Sequence, residues 1–204
     1  MKNYFDNYYN WWKNIDKFIL FLVLGLFLLG LFFSLVSTSL IASDKLNTNS
    51  YYFFLKHLSF ICLGIMILVF FSFLDQDILI KLSLLLFFVC FITLILVPFI
   101  GIEVKGSKRW LDIPLIPRFQ PVEILKPFFI VFISIILSLN KRNKYIKYFI
   151  TSAVLIPILL FLIYQPDLGQ TLLIAMLWLA LIFVSGINIL IFFSFFISVG
   201  LIIS

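Results

Sequence analysis

The stretch FILFLVLGLFLLGLFFSLVSTSLIAS, residues 18–43, contains no charged side chain, and its reading decides the fold. At the rise of an α-helix, about 20 apolar residues cross the roughly 30 Å of hydrocarbon in a bilayer, so this stretch reads as a membrane-spanning helix. It is not a removable signal peptide, because it is longer than a typical apolar signal core and further spans follow it. Working outward, cuts at charges and turn residues place spans near 52–74, 82–100, 123–139, 148–164 and 169–187, with another apolar stretch from Ile189 onward. The expected architecture is an all-α polytopic membrane protein with six complete transmembrane helices and part of a seventh. Residues 1–17 form a cytoplasmic N-terminal segment and residues 18–204 the transmembrane domain. Ile189 to Ser204 has no charged anchor to stop it and reads as a truncated seventh helix.

Composition agrees. Hydrophobic residues make up 64% of the chain and charged residues 12%, and the mean hydropathy is +1.21. That leaves too little polar surface to cover the core of a soluble domain. Trp11 and Trp12 with Lys13 and Lys17 read as an interfacial anchor before the first span. Cys62 and Cys90 fall within spans, where thiols behave as small hydrophobes. No phosphate-binding glycine loop or zinc spacing is present, and the run NKRNKYIK, residues 140–147, reads as a topology signal, not a nucleic-acid site.

Orientation follows from the positive charges. With the N-terminus cytoplasmic, Lys2, Lys13, Lys17, Lys81, Lys141, Arg142, Lys144 and Lys147 lie inside, while Lys45 and Lys56 lie outside. The loop after the third span breaks the pattern, because Lys105, Lys108, Arg109, Arg118 and Lys126 then sit on the outer face. An anionic ligand at that surface is the natural compensation.

That loop belongs to the segment GSKRWLDIPLIPRFQPVEILKP, residues 106–127. Pro121 suits the first turn of a helix, so Gln120 is expected at the cap and Glu123 in the first turn, facing the positive end of the helix dipole. Glu123 and Lys126 share a face, and Pro127 cannot donate to the Glu123 carbonyl. Charged groups at membrane depth usually face a cavity or each other, so this spacing fits both a structural pair and a substrate contact. A second Gln-Pro pair opens YQPDLG, residues 164–169, where Pro166 and Asp167 fit the first turn of the sixth span. Asp167 is compatible with a helix-start role and with substrate handling. Pro157, within the fifth span, is expected to kink it.

GSKRWLD, RFQPVEILK and YQPDLGQTLLIAMLWLALIFVSGI together resemble the SEDS family (shape, elongation, division and sporulation), the FtsW/RodA/SpoVE peptidoglycan glycosyltransferases. The resemblance covers nearly the whole chain in helix layout and is specific in KGSKRW, QPVE-x-x-K and QPD-x-G, and the form QPDLGQT resembles the FtsW branch more than the RodA branch. Val122 departs from the small Ser or Ala usual in the family between Pro and Glu.

The resemblance implies a fold of about ten helices in the bacterial cytoplasmic membrane. Its implied activity is polymerisation of lipid II, an undecaprenyl-pyrophosphate-linked disaccharide pentapeptide, into glycan strands at the outer face during division. It implies substrate contacts from Lys108, Arg109, Arg118, Gln120, Glu123, Lys126 and Asp167, whose cations suit a pyrophosphate. A divalent metal, Mg or Mn, bound to that pyrophosphate would help it leave. No metal-ligand constellation stands in the sequence, and His57 reads as interfacial. Partners implied are a class B penicillin-binding transpeptidase and other divisome proteins. The family's catalytic aspartate lies in an outer loop between the seventh and eighth helices, beyond residue 204, so no catalytic residue is assigned within the chain and residues 1–204 alone are expected to insert without polymerising. Two alternatives stand beside it: a lipid II flippase, which would use the same cations and helix entrances, and a non-catalytic divisome scaffold, in which the basic loop would tolerate neutral substitution while helix faces would not.

Overall fold

A computed structural model describes residues 9, 11–38, 52–104, 106–114, 117–139 and 143–187. The expected seventh span and the charges Lys2, Lys45, Lys105, Lys141 and Arg142 lie outside the described residues. The described chain is helical, as expected: α1 (Lys17–Thr38), α2 (Tyr52–Ser72), α3 (Gln76–Ile100), α4 (Pro121–Ser138), α5 (Lys144–Tyr164) and α6 (Leu168–Val184). Each of the first five contains a stretch long and apolar enough to cross a bilayer, and α6 is apolar over 17 residues.

Three helices start earlier than the charges suggested. The third begins at Gln76, not residue 82, because Lys81 lies inside it and Asp75 precedes it, its carbonyl accepting from the Leu79 amide at 2.9 Å. A long cationic side chain near a helix end reaches back to the interface and need not end the helix. The fourth begins at Pro121, not 123, since proline supplies the first helical residue. The fifth begins at Lys144, not 148, because Asn143 caps it, accepting from the Tyr145 amide at 3.3 Å.

The chain divides into two compact units between Leu79 and Ile80. In the first, α1 packs on α2. Asp16 accepts from the Phe18 and Ile19 amides at 2.9 and 3.1 Å, which caps the start of α1. A Cβ at Gly30 would stand 3.3 Å from His57 Nε2, so the sole histidine lies against α1 within the helix pair. Trp11 stacks on Phe73 at 4.4 Å and donates to Ser72 Oγ at 2.9 Å, while Lys17 lies 5.8 Å from the Trp12 ring, which gives the interfacial anchor a fixed seat.

The second unit holds the described core. Val122, Leu125, Phe129 and Ile133 on α4, Leu155, Ile158 and Leu162 on α5, and Ile174, Trp178 and Ile182 on α6 recur at intervals of three or four, so each helix turns one stripe inward. Phe87 of α3 stacks on Phe132 of α4 at 4.3 Å. Lipid tails are as apolar as these side chains, so close packing and interhelical hydrogen bonds hold the helices together, with little help from the hydrophobic effect. Val122 is fully buried, so the side chain that departs from the family pattern fills core space.

Between α3 and α4 lies a hairpin that the alternation of residues did not foretell, β1 (Ile102–Val104) paired antiparallel with β2 (Ser107–Trp110). Gly106, at φ +80°, makes the turn in a backbone region that side chains rarely tolerate. At Gly101 any side chain would run into the Val97 carbonyl oxygen, so glycine lets α3 pass directly into β1. Leu111 and Phe119 then exchange two backbone bonds, at 3.0 and 3.2 Å, which close the loop leading to α4.

Candidate functional site

The candidate residues gather where the hairpin meets the starts of α4 and α6 and the end of α5. Gln120 occupies the N-cap of α4 with Pro121 behind it, as expected, but its side chain makes no cap bond. Its buried amide instead donates to Asp167 Oδ2 at 2.7 Å. The structure corrects the expectation that Pro166 and Asp167 open the first turn of α6: Asp167 is the N-cap and Pro166 precedes it. The carboxylate accepts from the Gln170 backbone amide at 3.4 Å, half of a capping box, and Asp167, at φ −108° and ψ 70°, stands outside the helical region that a first-turn residue would occupy.

Arg109 completes the Asp167 environment. Its guanidinium lies 3.7 Å from Asp167 Oδ1 and donates to the backbone carbonyls of Gln165, at 3.2 Å, and Pro166. With a side-chain exposure of 9%, Asp167 is enclosed, and each of its oxygens has a partner. A buried carboxylate in that state is stable because it is paired and hydrogen-bonded.

Glu123 and Lys126 form a different arrangement. Lys126 Nζ donates to Glu123 Oε2 at 2.6 Å and to Gln170 Oε1 at 3.2 Å, while the Gln170 amide donates to Glu123 Oε1. Three side chains from two helices thus close a ring over the α4 and α6 entrances. Glu123 keeps 49% of its side chain exposed, so the ring has an open face. Helix α4 continues through Pro127 to Ser138.

Arg118 pairs with Asp112 at 2.8 Å over the bridged loop, with 64% of its side chain exposed. Lys108 is exposed on β2, opposite Glu103 of β1. The site therefore separates into a group around enclosed Asp167, with buried Gln120 and part-exposed Arg109, and an outer group of exposed Glu123, Arg118 and Lys108 with part-buried Lys126.

Two residues outside the expected set take part. Gln170 joins the ring; the D-x-x-Q spacing from Asp167 was a visible capping signal, though its contact with α4 was not. Gln165 donates to the Leu94 carbonyl at 3.3 Å. Pro98 lacks the amide that would otherwise bond that carbonyl one turn back, so Gln165 fills a gap that proline opens in α3. Among the described residues no group of three His, Cys, Asp or Glu side chains is placed to hold a metal ion.

The family model FTSW_RODA_SPOVE, described as cell cycle protein, matches residues 16–204. A Coxiella burnetii protein named probable peptidoglycan glycosyltransferase FtsW is 32% identical over 179 residues, covering 85% of this chain and 48% of its own. The Buchnera aphidicola protein of the same name is 30% identical over 179 residues, covering 85% and 44%. The chain spans about half the length of these curated relatives. The crystal structure of Thermus thermophilus rod shape determining protein RodA superposes with a TM-score of 0.65 at 21% identity, over 85% of this chain and 58% of that one. A chain from a structure described as structural coordination of polymerization and crosslinking by a peptidoglycan synthase complex gives 0.66 at 21% identity, over 85% and 52%.

Proposed function

This chain belongs to the FtsW/RodA/SpoVE family of cell cycle proteins, and on that premise we propose that it serves as a peptidoglycan glycosyltransferase that polymerises lipid II at the outer face of the bacterial cytoplasmic membrane. The observation that carries this reading is the open ring of Glu123, Lys126 and Gln170 at the head of two helices. An ammonium ion beside two helix N-termini is suited to an incoming pyrophosphate, which would take over donors now used within the ring. Arg118, exposed and free to exchange Asp112 for a stronger anion, is placed to assist. Arg109, Gln120 and Asp167 act one layer below by fixing the α4 and α6 entrances. A divalent ion would arrive with the pyrophosphate and meet Glu123. A class B transpeptidase is the partner that the named peptidoglycan synthase complex suggests.

Retention of labelled lipid II by the purified protein in lipid nanodiscs tests the site. We expect retention that weakens as salt rises, because exposed charge contacts are screened over a Debye length of about 8 Å at physiological ionic strength. Retention no better than that of undecaprenol, or indifferent to salt, defeats the reading. Polymerase and flippase separate in a purified system lacking other polymerases, using a chain of the relatives' full length: sized glycan products support the first, headgroup transfer without polymer the second. Orientation has its own check. Cysteine at Ser107 should react with an impermeant reagent in intact cells and cysteine at Asn143 should not; the reverse pattern inverts the topology.

A further inference from the structure

A groove of about 450 Å³ runs along the α3–α5 face, lined by Pro98, Phe99, Pro157, Leu160, Phe161 and Tyr164. A second cleft of about 300 Å³ adjoins it, sharing Pro98 and Tyr164 and bordered by Glu103, Ser107, Lys108 and Gln165. The two meet at Pro98 and Tyr164, the first mostly apolar and the second more polar, within the unit that begins at Ile80. Phe99, Leu160 and Tyr164 are all exposed, so the space opens sideways toward the bilayer. From Tyr164 back to Pro157 the groove descends about 10 Å, the depth at which the first half of an acyl chain lies. Proline and aromatic rings have few rotatable bonds with which to collapse into the space.

Among the described residues the polar cleft is lined by one charge of each sign. Glu103 and Lys108 are register partners across the hairpin, both are exposed, and neither forms an ion pair among the described residues. A purely anionic head would satisfy Lys108 and meet Glu103 with like charge. A pyrophosphate would do so more severely. A head bearing a phosphate and an ammonium group satisfies both. We propose that this space is a binding site for a zwitterionic bilayer phospholipid with a primary-ammonium head, its phosphate toward Lys108, its ammonium toward Glu103 and one acyl chain between α3 and α5. The site lies apart from the ring of Glu123, Lys126 and Gln170, draws only Lys108 from the outer group of candidate residues, and does not depend on the glycosyltransferase reading.

The test uses the whole 204-residue chain in nanodiscs of equimolar phosphatidylethanolamine and phosphatidylglycerol, released into detergent, with retained lipids counted by native mass spectrometry. Phosphatidylethanolamine should be favoured by about fivefold, the worth of one good exposed charge contact. Glu103→Gln should abolish that preference while phosphatidylglycerol is still retained, and Lys108→Gln should lower retention of both lipids. Because both side chains are exposed and neither has an ion-pair partner among the described residues, the two variants should melt with the parent. Leu160→Trp, at an exposed groove position, should lower retention of both lipids through bulk alone, and it supplies a charge-independent arm. Equal retention of the two lipids by the parent overturns the proposal, as does an unchanged preference in Glu103→Gln. Displacement of phosphatidylethanolamine by an equal concentration of undecaprenyl pyrophosphate also overturns it, and would give the cleft to a substrate-like head.

Discussion

The second unit contains two helix entrances written with the same dipeptide, Gln120-Pro121 before α4 and Gln165-Pro166 before α6, and they are built for different work. In the first, proline is the opening helical residue and the acid comes two positions later, so buried Val122 takes the inward place and Glu123 faces out. In the second, the acid follows proline directly and becomes the cap, enclosed beneath Arg109 and Gln120. A shift of one residue between proline and acid thus turns an accessible carboxylate into a structural one. Both glutamines point inward, one to Asp167 and the other to the Leu94 carbonyl.

The contrast breaks most readily at Asp167. Asp167→Ala strips Arg109 and Gln120 of their shared acceptor and removes the cap; the lost cap costs about 0.5 to 2 kcal/mol and the buried Gln120 amide left without its acceptor about 1 to 3 kcal/mol. Membrane abundance and melting temperature should both fall, with Asp167→Asn milder because it keeps a capping oxygen. Full abundance of Asp167→Ala would mean that the two entrances do not differ in kind.

At the first entrance the expected loss is functional. Lys126→Ala removes a charge-assisted hydrogen bond of about 1.5 to 3 kcal/mol, so lipid II retention should drop by about tenfold or more while abundance stays near normal. A normal affinity at normal abundance would remove the ring from the binding site.

Gln165→Leu should cost about 1 to 3 kcal/mol of stability, since the Leu94 carbonyl loses its substitute donor. Pairing it with Pro98→Ala sharpens the point: the alanine amide can bond Leu94 itself, so the double variant should melt higher than Gln165→Leu alone. No recovery would show that Gln165 acts otherwise. The smallest effect belongs to Arg118→Ala, where an exposed pair contributes at most about 1 kcal/mol to folding. Unchanged melting with weaker lipid II retention is expected, and unchanged retention would take Arg118 out of the site.

Much of this was legible in local spacing. The spans, the proline at the start of α4 and the Glu123–Lys126 pair all depend on neighbours within one or two helical turns, where periodicity and proline chemistry act directly. The partners of Asp167 and Glu123 were not legible, because Gln120 lies 47 residues from Asp167 and Gln170 lies 47 from Glu123. The Gln165 bond to Leu94 spans 71 residues. Such pairings follow from how four helices meet, and one chain read along its length holds no record of it. The hairpin escaped for another reason: IEV and SKRW are too short and too charged to show strand alternation, and Gly106 supplies the turn that lets them pair.

The Pro98 gap has one consequence for how the molecule opens. In lipid, no water stands ready to bond a bared carbonyl, so the Gln165 amide cannot leave Leu94 without the full loss of that bond. The same residue's backbone carbonyl is held by Arg109 of the hairpin, and the next turn begins with the Asp167 cap. Amide exchange should therefore release the hairpin end of α3, the end of α5 and the start of α6 at one common rate, as a single cooperative block, while the far ends of the same helices exchange on their own schedules.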